Sequence, residues 1–442
     1  MENTKKTQET KTKKAPAPVL SIIAGGNGTR LFPISHGGCP KQFCRLNETD
    51  TFIQDSIKRF MDSGFDAKRI VIVVTNEKQY ELALEQTQGL GVIEPNILLI
   101  PPIHDYAGAM VVSDDFIEEK FGDVVIVHTP ADQYVVRGEA FTSAIRSLCE
   151  SAAKTPSLLG VFKSDLNTVM GCGNIYFEDG DGAVRLVKGF EEKPPKEVAE
   201  QMLREGNTVV NSGICAWKPS QLPKKFRHIT GALKTDELMN EFKKLNVVIG
   251  QFPWYDCGTL DSYWAISKKT PNHQNASLHA NDGRVYRSNC LRSLFVTIDG
   301  VDLYASNIID TAVVVNQVAG KLAICTVKKS SSQLVRDLAD DFEKSKSVLE
   351  HHFVLNGTNN RVARTNCIEE IYCGFVGCDD INVTAVKTLD GRYIISVSRD
   401  STPASNNWFR RNRIVFSHIA TPLNRGAFFN GYFQRNNVYN NN

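Results

Sequence analysis

Five short aliphatic runs set the terms for this chain: VLSIIA (19–24), IVIVVT (70–75), NILLI (96–100), VVIVHT (124–129) and LLGVF (158–162). Near-continuous Val and Ile runs, unlike alternating ones, belong to strands buried on both faces, and such burial demands helices above and below a mostly parallel sheet. Helical segments stand between them. TFIQDSIKRFMDSG (51–64) carries Phe52, Ile53, Ile57, Phe60 and Met61 at helical spacing and stops at Gly64. PPKEVAEQMLREG (194–206) starts with prolines and stops at glycine in the same way. This alternation predicts an α/β layered domain with right-handed crossovers over residues 17–270.

Near residue 270 the texture changes. VYRSNCLRSLFVTIDGVDLYASNIIDTAVVVNQVAGKLAICTVKK (285–329) holds many short β-type runs, with Gly300 and Gly320 inside two of them and no helical period. It predicts a compact all-β appendage, either a small sandwich or a short β-helix. A helix is expected next, with Leu334, Val335, Leu338, Phe342 and Val348 in register behind capping serines, which closes a unit over 271–353. Residues 354–442 are rich in Asn and Arg, with a frayed NNVYNNN end; INVTAVKTL and RYIISVS give a weak β pattern without an assignment. Residues 1–16 are polar and Lys-rich and read as a flexible tail, since no apolar segment follows the charges as a secretory signal requires.

Lys plus Arg number 51 against 49 Asp plus Glu, a formal charge of +2 that provides no general field for nucleic acid. No apolar run reaches the roughly 18 to 20 residues of a membrane helix, so neither nucleic acid nor membrane is an expected partner. The eleven cysteines are scattered and odd in number, which favours free thiols in a reducing compartment, expected to be the cytoplasm. Cys373 and Cys378 have no second pair or His cluster beside them, and free thiols are the better reading there too.

IIAGGNGTRLFPIS (22–35) leaves a predicted strand and breaks into three glycines followed by Thr29 and Arg30. Glycines let backbone N–H groups approach phosphates and a basic side chain supplies opposite charge, so the loop suits a polyphosphate. A hydrolase P-loop needs Lys then Ser or Thr after its last glycine, which Thr29 and Arg30 do not supply. A dinucleotide fingerprint needs glycine at position 31, where Leu31 stands, and Pro33 interrupts the helix it would open. A turn without ligand is the remaining alternative.

At this point five motifs fall in one order: AGGNGTRLFPIS with PKQF (40–43), TPADQYV (129–135), FEEKP (190–194), NSGICAW (211–217) and WYDCGTLDSYW (254–264). The set resembles the sugar nucleotidyltransferases and is most similar to their mannose-1-phosphate guanylyltransferase branch. The resemblance implies a Rossmann-like nucleotidyltransferase sheet and transfer of a nucleoside monophosphate from an NTP to a sugar 1-phosphate, with release of pyrophosphate. It implies that Ala24, Gly25, Gly26, Gly28 and Thr29 cradle nucleotide phosphates, that Arg30 clamps the departing groups, and that Lys41 adds charge near the α-phosphate. Asp132 and Asp256 would hold one Mg²⁺. Gly171, Glu192, Lys193 and Asn211 would bind the sugar phosphate.

Two segments depart from the branch. Its GRNTAPA-like stretch corresponds to IHDYAGAM (103–110), which leaves Ala107 and Gly108 as the implied nucleotide contacts, and its ETGYGYI-like stretch corresponds to TVMGCGNI (168–175). Guanine and mannose remain the leading specificity, with another base or sugar as the alternative. Some long members carry a metal-binding cupin with a His-rich cluster, but beyond residue 352 this chain has only His418. The resemblance also implies that the β-rich appendage pairs subunits into a homo-oligomer. A second function class stays open: a catalytically silent homologue that binds an NDP-sugar and regulates a partner.

Overall fold

In a computed structural model the aliphatic runs lie side by side. It describes residues 16–26, 28–46, 49–102, 105–163, 165–270, 275–279, 283–298, 300–328, 335–336, 339, 342, 353–355, 361–364, 371–376, 381–387 and 391–399. Strands β1 (Val19–Ile23), β2 (Ile70–Val74), β3 (Ile97–Leu99) and β4 (Ile126–Pro130) pair in parallel in the order β3-β2-β1-β4. A short β5 (Tyr134–Val135) leaves this sheet, which resumes with β6 (Ser157–Val161), β7 (Gly173–Phe177), β8 (Val184–Glu192), β9 (Thr208–Trp217) and β10 (Asn246–Gly250). The nine-stranded order is β3-β2-β1-β4-β9-β6-β10-β8-β7.

The sheet is mixed. β6 and β10 pair in parallel, whereas β9 runs antiparallel to β4 and β6, and β7 antiparallel to β8. A hairpin as short as the β7–β8 connection permits only the antiparallel sense, while parallel partners need a crossover helix between them. Those crossovers include α1 (Phe52–Asp62), α2 (Glu77–Thr87), α3 (Tyr106–Phe121) and α4 (Glu139–Ala152), with α5 (Leu166–Gly171) and α6 (Lys196–Glu205) further on. Thr51 and Gln54 form a reciprocal capping box at the start of α1, and Gly206 ends α6 in the left-handed conformation at φ 68°.

Because side chains alternate along a strand, each central run feeds two cores. Leu20, Ile22, Ile70, Ile72 and Val74 pack with Ile53, Ile57, Phe60 and Phe141 on one face. Val19, Ile23, Val71 and Val73 pack with Met110, Val111 and Ile117 of α3 on the other. A cluster of polar groups is buried in that second layer. Asp114 of α3 accepts a hydrogen bond from Trp217 Nε1 at 2.8 Å and lies 3.0 Å from His128 Nε2, all three side chains being closed to solvent.

The appendage is a coil of strands with an 18-residue step. After a two-residue β11 (Trp254–Tyr255), which pairs with β5, the strands β12 (Ala276–His279), β13 (Arg284–Ser288), β14 (Leu294–Thr297), β15 (Val301–Ser306) and β16 (Thr311–Val318) follow. Ala276 stands against Leu294 and Leu294 against Ala312, and Arg284 against Asp302, all in parallel register. Between the two open alternatives this is the β-helix type. Its corners repeat with the same step: Asn289 and Asn307 both take left-handed φ and hydrogen-bond to each other at 2.7 Å, and Arg292 pairs with Asp310 at 2.6 Å.

Strands from beyond 353 enter the same two sheets, so no sheet boundary falls there. β17 (Lys321–Lys328) turns back on β16, and β18 (Phe353–Leu355), β19 (Arg361–Arg364), β20 (Ile371–Val376), β21 (Ile381–Lys387) and β22 (Tyr393–Arg399) complete sheets of six and five strands. Residues 1–15 of the expected 1–16 tail, most of the expected 334–348 helix and the 400–442 end lie outside the described residues. The appendage packs on the larger domain through Leu31, Phe32, Ile34, Phe52 and Tyr263, with Phe342 at 5.4 Å from the Phe32 ring centroid and Asn316 Nδ2 donating to the Pro33 carbonyl at 2.7 Å. Among the described residues no helix is long and apolar enough to cross a membrane.

Replacing Asp114 removes the acceptor for the buried Trp217 indole and the neighbour of His128. Asp114→Ala is expected to lower the unfolding free energy by about 3 kcal/mol, read as a lower midpoint in urea denaturation, since buried polar groups left unpaired cost about 1–3 kcal/mol each.

Candidate active site

The loops leaving β1, β2 and β4 open onto one cleft, as the carboxyl ends of parallel strands do in layered α/β proteins. Ala24, Gly25, Gly26, Gly28, Gln42, Thr75 and Asp132 are among the walls of a cavity of about 480 Å³. Its glycine loop is held from behind by its carbonyls. Gln42 Nε2 donates to the carbonyls of Ala24 and Gly26, Thr75 Oγ1 to Gly25 at 2.9 Å, Gln79 Nε2 to Gly25 at 3.1 Å, and Ser35 Oγ to Gly28. Among the described residues nothing accepts from the amides of Gly25, Gly26 or Gly28. Free amides in a closed loop are what an anion needs. Thr29 opens a 3-10 turn (Thr29–Leu31), and its side chain lies outside the description.

Lys41 sits on a second 3-10 turn (Lys41–Phe43) and is 3% exposed. Its Nζ lies 3.0 Å from Asp132 Oδ2 and donates to the Asp256 carbonyl at 2.8 Å. Burial pushes the ammonium pKa down, but the Asp132 and Asp256 charges push it up further, so the net shift is upward and the group stays protonated. Sequence reasoning treated Lys41 as a charge waiting for phosphate. In the structure its charge is already matched, because a buried ammonium without a partner would be strongly disfavoured.

Asp132 follows β4 and caps no helix; its side chain is 38% exposed. Asp256 follows β11 and faces Arg30 across Gly258: a Cβ built on that glycine would meet Asp256 Oδ2 at 2.5 Å and the Arg30 guanidinium carbon at 3.3 Å. Arg30, Gly171, Glu192, Lys193, Asn211 and Asp256 line a second cavity of about 270 Å³, which shares Tyr106 and Pro130 with the first. The sequence-predicted residues therefore fall into two adjoining groups. Lys193 holds left-handed backbone at φ 49° and pairs with Glu192 at 3.0 Å, both side chains being more than half exposed. Asn211 Oδ1 accepts from the Gly213 amide at 3.0 Å.

Ala107 and Gly108 depart from expectation. They are buried in the first turn of α3 and line neither cavity, whereas Asp105, Tyr106 and Ala109 line the first. Helical geometry explains it: positions three apart share a face, so a face formed by 106 and 109 turns 107 and 108 away from the cavity.

Sequence reasoning missed the supports. Gln42 stands in PKQF with no chemical signal of its own, and only its place at the carboxyl end of β2 distinguishes Thr75. Gln79 on α2 had no local signal. Tyr106 donates to the Gly213 carbonyl at 2.7 Å, and its burial pushes the phenol well above its usual range. Gln133 accepts from Trp254 Nε1 at 3.0 Å and donates to the Ser212 carbonyl. Among the described residues no three His, Cys, Asp or Glu side chains gather as a metal site.

Residues 20–273 match the family described as "Nucleotidyl transferase". The chain belongs to that family. A mannose-1-phosphate guanylyltransferase of Sinorhizobium fredii is 27% identical over 336 residues, covering 66% of this chain and 64% of that protein. The xanthan biosynthesis protein XanB of Xanthomonas campestris is 32% identical over 212 residues, covering 48% of this chain and 44% of that one. The chain thus spans less than two thirds of either relative's length. A Thermus thermophilus structure described as a mannose-1-phosphate geranyltransferase superposes with a TM-score of 0.63 at 23% identity, covering 74% of this chain and 99% of that one, which establishes the shared fold. The matched span of this nucleotidyl transferase runs from β1 to just short of β12, so both cavities lie inside it.

The loop glycines are not equivalent. Gly28 has φ +61° and a Cβ there would stand 2.4 Å from Lys41 Cβ, whereas a Cβ on Gly26 meets nothing within 4 Å. Gly28→Ala is therefore expected to cost about 2 kcal/mol of stability. Gly26→Ala should stay within about 0.5 kcal/mol. Denaturation midpoints of the two variants check the contrast.

Proposed function

We propose that the protein transfers a nucleoside monophosphate from an NTP, GTP in the leading reading, to a sugar 1-phosphate, mannose 1-phosphate in the leading reading. The observation that carries this reading is the pair of adjoining cavities. One is walled by the glycine loop, the other is lined by Glu192, Lys193 and Asn211, and Asp132 and Asp256 stand one on each with Lys41 between them. Family membership and the guanylyltransferase relatives support the chemistry; the mannose and guanine choices follow the motif resemblance and the relatives' names.

In this reading the glycine amides hold the triphosphate in the first cavity and Lys193 holds the sugar phosphate in the second. A phosphate oxygen of the sugar 1-phosphate attacks the α-phosphorus in line, the bond to the bridging oxygen breaks, and its electron pair leaves on pyrophosphate. No covalent protein nucleophile is needed, because holding two anions in line supplies the rate. Arg30, which stands beside Asp256 at the second cavity, clamps the departing groups as their charge develops.

The donor set fits magnesium. This cation is held by one or two carboxylates together with water and substrate phosphates, and Lys41 occupies only one oxygen of Asp132. Asp132 and Asp256 would hold the ion, which when bound supplies positive charge to the triphosphate. A cytoplasmic setting belongs to the same reading, supported by eight described cysteines that are all free thiols. So does pairing of subunits through the coil, where β12 and β13 stand at the sheet edges.

Pyrophosphate release, measured with each NTP against a panel of sugar 1-phosphates in Mg²⁺, should be fastest with GTP and mannose 1-phosphate. Release with no pair, together with tight NDP-sugar binding, would overturn the transferase reading in favour of the silent homologue. Asp132→Asn and Asp256→Asn should each reduce turnover at least about 100-fold with circular dichroism unchanged. Near-normal turnover in either variant refutes the metal assignment.

A further inference from the structure

The turn that carries Lys41 is bracketed by two thiols. Cys39 closes a backbone bridge with His36, Cys44 caps the Lys41–Phe43 turn, and their sulfurs lie 3.6 Å apart. A disulfide holds its sulfurs at about 2.05 Å, so bonding requires an approach of roughly 1.5 Å within one short turn. Cys44 is buried and Cys39 is partly open to solvent, which makes Cys39 the sulfur that meets a reagent first. The hydrogen bond between the two thiols lowers the Cys39 pKa, against the opposing effect of burial and with help from Lys78, whereas Cys44 is pushed well above the usual thiol range.

We propose that Cys39 and Cys44 are a modification site: a dithiol that a low-molecular-weight disulfide such as glutathione disulfide converts reversibly to an intramolecular disulfide, displacing Lys41 and silencing the site. The inactivation part rests on the transferase reading given above. Cys39 thiolate attacks one glutathione sulfur and expels the first glutathione as thiolate. Cys44 then gives up its proton to solvent and attacks the Cys39 sulfur, forming the protein disulfide and expelling the second glutathione. Two protein thiols are oxidised, one glutathione disulfide is reduced, and two glutathiones leave with the two protons.

Only Pro40, Lys41, Gln42 and Phe43 separate the two cysteines. Drawing the ends of so short a turn together must move what it carries. Lys41 is placed by contacts at 3.0 Å to Asp132 and 2.8 Å to the Asp256 carbonyl, and Gln42 by bonds to the Ala24 and Gly26 carbonyls. The disulfide therefore loosens the carboxylate pair and the glycine loop in one step.

The protein is equilibrated in glutathione buffers of increasing oxidation, and crosslink, GTP affinity by calorimetry and pyrophosphate release are measured on each sample. A mass loss of about 2 Da and a link between tryptic fragments 31–41 and 42–45 are expected, because trypsin cuts after Lys41 between the two cysteines. Turnover should fall about 100-fold and return with dithiothreitol. Cys39→Ser, and independently Cys44→Ala, should keep reduced-state turnover and ignore the oxidant. No 39–44 link at any poise, a link that leaves turnover and GTP affinity unchanged, or equal inactivation of both variants would each overturn the proposal. Should fully reduced protein release no pyrophosphate, the transferase reading fails by itself, and the crosslink and GTP affinity still decide the switch.

Discussion

A buried ammonium must have its counter-charge within reach, and Lys41 meets that condition with groups from two other loops. Its Nζ reaches a carboxylate that follows β4 and a carbonyl 215 residues away in sequence. One charge thereby ties its own turn to two segments that are themselves paired next to it through β5 and β11. The adjacent Gln42 uses the same short turn to hold the glycine loop from below. Moving the turn moves everything that faces the cleft. The positive charge also offsets two carboxylates that would otherwise repel a polyanion, and in a partly desolvated cleft such repulsion is far stronger than in water.

Much of this was legible in order of physical strength. Doubly buried strands leave aliphatic runs, and all five runs became strands, because few other structures can bury both faces of so short a segment. The glycine loop was legible from its incompatibility with other phosphate loops. Polar supports were not: Gln79 reads like any surface glutamine on a helix, and only the approach of α2 to the loop shows its function. Ala107 and Gly108 follow from motif position, which carries no information about which helical face meets the cleft. The coil repeat was present as SNC at 288–290 and SNI at 306–308, but one recurring corner cannot separate a coil from a sandwich. The parallel ladder decides it.

The two cavities share a wall whose members are fastened to one another. Tyr106 reaches the Gly213 carbonyl, and position 213 suits glycine twice over, since φ is +75° and a Cβ there would meet Pro130 at 2.9 Å. Gln133 ties the Ser212 carbonyl to the Trp254 indole. Fastening of this kind keeps the line between the compartments fixed, and a fixed line is what a displacement between two bound anions requires. Much of the contact with ligand would come from flanking loops such as the one holding Lys193, whose left-handed backbone is held by a bond from its amide to the Cys172 carbonyl.

The appendage meets the larger domain at Leu31, Phe32, Pro33 and Ile34, the residues that directly follow the glycine loop. A module attached there cannot be exchanged as an independent cassette. Any replacement coil would have to offer an apolar face to Phe32 and a donor to the Pro33 carbonyl, or the loop would lose its backing. The joint that fastens the coil is therefore also a wall behind the cleft, and the divergence open to each half is bounded by the other.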